Sequence, residues 1–214
     1  MSIGNLTIVG FSEATTTMLL DILDSKGIYP MIEIVNNLGL EPTKEFKHPN
    51  FNVDITEDTD IKNKIVTLGV TKPHLRQKVS ILFSLDSANG LINLISDNTD
   101  ISKTVDLGKG IVINPMTCIA GHSKIGDFVF INRNVSIGHH TTIGSFTTIN
   151  PGVNIAGYVT VGERCQIGIG VNIIDGVKIG NNTIIGAGSL VTKDMPNNVV
   201  AYGNPCKIIR ENEA

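Results

Sequence analysis

The chain has 214 residues, 41% of them apolar, with 22 Gly, 17 basic and 20 acidic side chains and a formal charge of −3. That is one large domain or two small ones with ample aliphatic surface for a core, which excludes a disordered chain. A slightly acidic balance, 5% aromatic residues and no basic run give no electrostatic footprint for nucleic acid or an anionic membrane, so neither is an expected partner.

The N-terminal MSIGNLTIVGF has no basic region, and its apolar stretch is too short for a signal peptide or a membrane span. Cys118, Cys165 and Cys206 are odd in number and widely spaced, which points to neither a disulfide framework nor a thiolate zinc site. A reducing cytoplasm is the expected location.

Leu6-Thr7-Ile8-Val9-Gly10 reads as a buried strand, and residues 12–25 as a helix with Met18, Leu19, Ile22 and Leu23 on one face. Residues 31–35 and 64–70 are further strand candidates, and residues 72–85 a second helix with Leu75, Val79, Leu82 and Phe83 apolar. The alternation predicts a small parallel α/β domain over residues 1–93. Its first strand-to-helix turn, Gly10-Phe11-Ser12-Glu13, offers backbone N–H groups for a diphosphate. The turn lacks the G-x-G-x-x-G fingerprint, Glu13 would repel a nearby phosphate, and an ordinary helix start explains it equally well. Asn36-Asn37 and Gly69 end the next two strands, at the edge where open α/β sheets bind ligands. Ser12, Asn36 and Gly69 are therefore the candidate contacts to a substrate, although Asn36-Asn37 also reads as a polar turn.

From Ile95 to Val191 every sixth residue is aliphatic, seventeen positions in all, and Gly often follows. Six steps of about 100° do not close on one face of an α-helix, whereas period-2 strands put every sixth residue on the same side. This is the hexapeptide signature of a parallel β-helix. Three hexapeptides would make a triangular coil of about 18 residues, and roughly five coils stacked at about 4.8 Å would give a prism about 25 Å tall over residues 94–192. Residues 193–214 break the period as a cap should.

Three of the five histidines fall in the repeat. His139 and His140 follow Ile137 at a corner, and the 18-residue step puts Gly157 above His139, with His122 below and Tyr158 above His140. A neutral imidazole beside such a vacancy is a sensible general base. Solvated corner histidines are the plain alternative, and adjacent corner residues are expected to point apart.

Ile137-Gly-His-His-Thr-Thr-Ile-Gly-Ser-Phe-Thr-Thr-Ile-Asn-Pro-Gly-Val-Asn-Ile-Ala-Gly-Tyr-Val159, with Ile185-Gly-Ala-Gly-Ser-Leu-Val-Thr-Lys-Asp194 and Gly203-Asn-Pro-Cys-Lys207, resembles the sialic-acid O-acetyltransferase family. Within it the chain is most similar to bacterial nucleotide-aminosugar N-acetyltransferases such as that of the bacillosamine pathway. The resemblance covers essentially the whole chain. It implies a Rossmann-like N-terminal domain before a left-handed β-helix, acetyl-CoA as cosubstrate without a metal, a homotrimer, and a nucleotide-linked amino sugar held by the N-terminal domain. The best match is UDP-2-acetamido-4-amino-2,4,6-trideoxyglucose. Carried over residue by residue, the catalytic base falls on His139, and His140 stands where the family often has Glu. The donor to the thioester carbonyl falls on Gly157, and further acetyl-CoA contacts fall on Thr148, Ile169 and Ala187, in one groove between subunits. A sugar O-acetyltransferase, a histidine-zinc lyase and a non-enzymatic scaffold are the competing readings. The zinc reading lacks a Cys, Asp or Glu to complete a ligand set.

Overall fold

The computed structural model describes residues 5–36, 46–57, 59–85 and 90–213; Asn37 lies outside them. Strands β1 (Asn5–Val9), β2 (Met31–Val35), β3 (Val53–Thr56) and β4 (Ile65–Leu68) form a parallel sheet in the order β3-β2-β1-β4. Helix α1 (Glu13–Ser25) follows β1, and helix α2 (Pro73–Leu82) follows β4. Leu6, Ile8, Ile32 and Ile34 meet Leu19, Leu20, Ile22 and Leu23 of α1 in one core.

Strand β3 is absent from the sequence reading, because four residues alternating Val53-Asp54-Ile55-Thr56 carry too short a pattern. At a sheet edge that pattern suffices, since only one flank needs a partner. Helix α2 is shorter than the 72–85 expected, and Leu82 is 65% exposed instead of packed. Its buried face is Pro73, Arg76, Val79 and Ser80.

From Leu94–Ile95 onward the chain winds through two- and three-residue strands in three parallel sheets. The first face runs from Leu94–Ile95, the second from Thr99–Ile101 and the third from Asp106–Leu107. Between Leu94–Ile95 and Leu190–Val191 the paired strands are 18 residues apart, as Lys124 and Thr142 or Ser136 and Asn154; the last step, Ile184 to Val200, is 16. The inward residues Ile113 through Val191 fill a continuous aliphatic core. On the first face Val199–Tyr202 continues the stack and Lys207–Glu211 returns antiparallel, which covers an otherwise open edge. Among the described residues no helix is long and apolar enough to cross a membrane.

The α/β domain packs on the first face of this prism. Leu94, Val112 and Phe130 join the core beneath α1, while Phe128 and Phe146, at the corner between the third and first faces, join Val9, Val66, Leu68 and Val79. The corner carrying His139 lies between the second and third faces, opposite that junction.

Candidate active site

His139 and His140 form the corner between Ser136–Ile137 and Thr142–Ile143, and both are exposed. The chain turns there through a left-handed conformation at His140, φ 55°, repeated one coil below at His122 and one coil above at Tyr158. The three rings therefore stack: His122 and His140 have centroids 4.9 Å apart, and His140 and Tyr158 also 4.9 Å apart at 22°. His139 stands edge-on to both neighbours, 5.2 Å from His140 and 5.0 Å from Tyr158. Its Nδ1 is 3.1 Å from Nδ1 of His140. The adjacent corner residues thus converge, contrary to the sequence expectation, because the left-handed step swings His140 back toward its neighbour. Among the described residues no group of three His, Cys, Asp or Glu side chains is arranged to hold a metal ion.

Gly157 leaves room for the His139 ring, as the 18-residue step requires. A Cβ there would lie 2.9 Å from His139 Cε1 and 3.0 Å from Nε2, closer than carbon atoms pack. The Gly157 carbonyl accepts from Gly176, whereas its N–H donates to no backbone carbonyl among the described residues. Buried Thr141 fixes where that N–H points. Its hydroxyl donates to the carbonyl of Ala156 at 3.0 Å, holding that oxygen inward. A trans peptide sets C=O and N–H in opposite directions, so the Gly157 N–H faces out of the prism. One coil below, the Ser123 hydroxyl holds the carbonyl of Gly138, just before His139, in the same way at 2.9 Å.

Ile169 and Ala187 are exposed and stacked on a different corner, between the first and second faces. Within one chain they do not share a groove with His139 and Gly157. Thr148 is not with either group. It is 3% exposed beneath the α/β domain, where its hydroxyl donates to Thr71 O at 2.6 Å and accepts from Arg76 Nη2 at 3.0 Å. Its side chain is committed to the domain junction, which corrects the expected cofactor contact.

Ser12, Asn36 and Gly69 follow β1, β2 and β4 at the carboxyl ends of the parallel strands. Ser12 precedes α1 in an extended conformation and makes no side-chain cap bond, so its hydroxyl is not spent on the helix. Asn36 continues the ladder by donating its N–H to Thr56 O. The Gly10 N–H donates to Val35 O, so it is not free for the phosphate expected at this turn, and the Gly69 N–H donates to Val9 O. Gly69 is required for close approach: a Cβ there would sit 2.3 Å from Gly10 O. Arg76, which reaches Thr148 from α2, is not among the residues singled out in the sequence.

Residues 122–157 and 158–193 match the family described as bacterial transferase hexapeptide (six repeats), so this segment carries the repeat of the hexapeptide transferases. No curated protein matches the chain. Solved structures resemble it over nearly its whole length. One is a histidine-to-asparagine variant of perosamine N-acetyltransferase from Caulobacter crescentus in complex with CoA and GDP-perosamine. It is 27% identical with a TM-score of 0.82, covering 98% of this chain and 99% of that one. WeeI from Acinetobacter baumannii AYE is 26% identical with a TM-score of 0.78, over 95% and 99%. The acetyltransferase domain of PglB from Neisseria gonorrhoeae FA1090, in complex with acetyl coenzyme A, shares the fold at 20% identity and a TM-score of 0.84, over 98% and 100%.

Proposed function

We propose that the chain is an acetyl-CoA-dependent N-acetyltransferase of a nucleotide-linked amino sugar, acting on the 4-amino group of a 4-amino-4,6-dideoxy sugar as a homotrimer. The observation that carries this reading is the pairing of the His139 Nε2 edge with Gly157, whose N–H faces outward beside it. The amine attacks the thioester carbonyl, and its proton passes to His139 Nε2. The carbonyl oxygen, negative in the tetrahedral intermediate, is met by the Gly157 N–H. Collapse forms the amide and expels the thiolate, which takes up the proton as the free thiol. The 27% identity to perosamine N-acetyltransferase, crystallised with CoA and GDP-perosamine, supports both the cosubstrate and the substrate class.

Exposed Ile169 and Ala187 suit the apolar arm of coenzyme A, yet they stand on another edge of the prism from His139. The proposed nucleotide contacts Ser12, Asn36 and Gly69 belong to a domain packed opposite the His139 corner. Both separations support a site completed by a neighbouring copy. A uniform prism whose β-edges invite further pairing has the physical means to assemble.

The test is thiol release from acetyl-CoA by wild type and His139→Ala. The acceptors are UDP-2-acetamido-4-amino-2,4,6-trideoxyglucose, favoured by the sequence resemblance, GDP-perosamine, favoured by the solved relative, and free sialic acid. Turnover of one amino sugar that falls about 10² to 10⁴-fold in His139→Ala is expected. Turnover of sialic acid alone would replace the proposal with O-acetyl transfer, and release with none of the three would overturn it.

A further inference from the structure

The shared contact between His139 and His140 has a direction, and the geometry points to it. We propose that His140 accepts the Nδ1–H of His139, leaving the His139 Nε2 lone pair open, and that His122 and Tyr158 are positioning residues that hold the His140 ring for this task. The inference rests on His139 acting as the base.

Two Nδ1 atoms 3.1 Å apart share one proton, since two lone pairs repel and two N–H groups collide. If His140 were the donor, His139 would carry its proton on Nε2, the atom that lies against Gly157, and no lone pair would face the incoming amine. With His139 as donor, Nε2 takes a proton while the Nδ1 contact stays in place. The resulting imidazolium donates a charge-assisted bond to His140 without any side chain moving.

His140 alone is an exposed side chain with a free rotor, and fixing it costs entropy. The 18-residue coil supplies a ring directly below and directly above, with His122 tilted 35° and Tyr158 22° from the His140 plane. Tyr158 also meets His139 at 90°, so one residue braces both imidazoles. All three stacked residues turn through the same left-handed corner, with φ 60°, 55° and 58°, which is why their side chains leave the prism in register.

The stack needs ring faces, while the contact needs an acceptor, so substitutions separate the two. The full-length protein labelled with ¹⁵N-histidine, with signals assigned by His139→Gln, reports which ring nitrogen of His139 holds the proton. In wild type, Nδ1 is expected at the N–H shift and Nε2 at the imine shift. His140→Phe keeps a ring between its neighbours and removes the acceptor; it should return the His139 proton to Nε2 and lower kcat about tenfold, the value of one such hydrogen bond. His140→Glu restores an acceptor and should restore the wild-type tautomer. His122→Phe and Tyr158→Phe keep a ring on either side of His140 and should preserve the wild-type tautomer, whereas His122→Ala and Tyr158→Ala should mix the tautomers with the KM for acetyl-CoA unchanged. A wild-type His139 protonated at Nε2, or a tautomer indifferent to His140→Phe, would overturn the proposal. Undiminished turnover in His139→Ala would instead overturn the role of His139 as base, an outcome read separately from the nitrogen shifts.

Discussion

Arg76 Nε donates to the carbonyl of Phe128 at 2.7 Å, and through this contact the α/β domain is bonded to the corner of the β-helix. The same guanidinium donates to Val70 O and Thr71 O in its own domain, and to Phe146 O, Thr147 O and Thr148 Oγ1 across the junction. All its partners are carbonyls or a hydroxyl, which the planar fork of donors can serve together. Arg76→Met strands several buried acceptors at 1–3 kcal/mol each, so a loss of about 3 kcal/mol or more is expected. Thermal unfolding should show an early transition of the α/β domain, and Arg76→Lys should recover only part of the loss.

Gly157→Ala puts a methyl group against the His139 ring, with a Cβ 2.9 Å from Cε1. The coil itself tolerates alanine at a corner of ordinary backbone, so the melting temperature should change little. Turnover should fall at least tenfold because the ring must swing off Gly157, a difference that steady-state kinetics beside calorimetry resolves.

Thr141→Val removes the hydroxyl that holds Ala156 O while keeping the side chain's shape. The freed peptide rotates, and the Gly157 N–H loses its fixed aim. On the proposed role of that N–H as oxyanion donor, which acts in the transition state, the expected outcome is a drop in kcat of about tenfold or more with KM for acetyl-CoA maintained. The unpaired buried carbonyl should also cost about 1–3 kcal/mol in denaturant titration.

Burial raises the Cys165 thiol to about 11 and also raises Cys206, while Cys118 is exposed. A thiol-specific reagent near pH 8 should label Cys118 rapidly in the folded protein and the other two only on unfolding. Because the Cys165 pKa is higher folded than unfolded, its contribution to stability is complete below about 9 and is lost as pH rises through about 11.

If sites are completed between copies, mixing two inactive proteins should restore activity. His139→Ala carries an intact crevice, and a variant crowded at Gly69, where a Cβ meets Gly10 O at 2.3 Å, carries an intact His139. Co-refolded together, they should recover a fraction of wild-type turnover, and no recovery would argue for a site within one chain.

The β-helix was legible because its rule is periodic. Ile137, Ile155 and Ile173 recur at the strand position that must face inward, and the coil length follows from counting. The same arithmetic put Gly157 over His139 and Tyr158 over His140, which the ring contacts bear out. What periodicity does not contain is the direction of side chains leaving a corner. The convergence of His139 on His140 depends on a positive φ, and a left-handed corner reads no differently in residue type, as Phe128, Phe146 and Arg164 show. Thr148 was misplaced for another reason: its outward position is open in a bare prism but covered once a second domain docks. Arg76 was invisible because a polar residue at a helical core position reads as solvent-facing until its acceptors across the junction, 52 to 72 residues away, are known.

On its face of the prism Ser136–Ile137 is the third of six rungs, with Thr99–Ile101 at one end and Leu190–Val191 at the other. In a quasi-one-dimensional array each rung is secured only by its neighbours, so opening proceeds inward from the termini and deepens one rung at a time. The His139 corner therefore occupies the part of the stack that frays last, and amide exchange there should be slowest. Terminal rungs can be trimmed, extended or decorated by insertion while the His139 corner, two rungs from one end and three from the other, keeps its geometry.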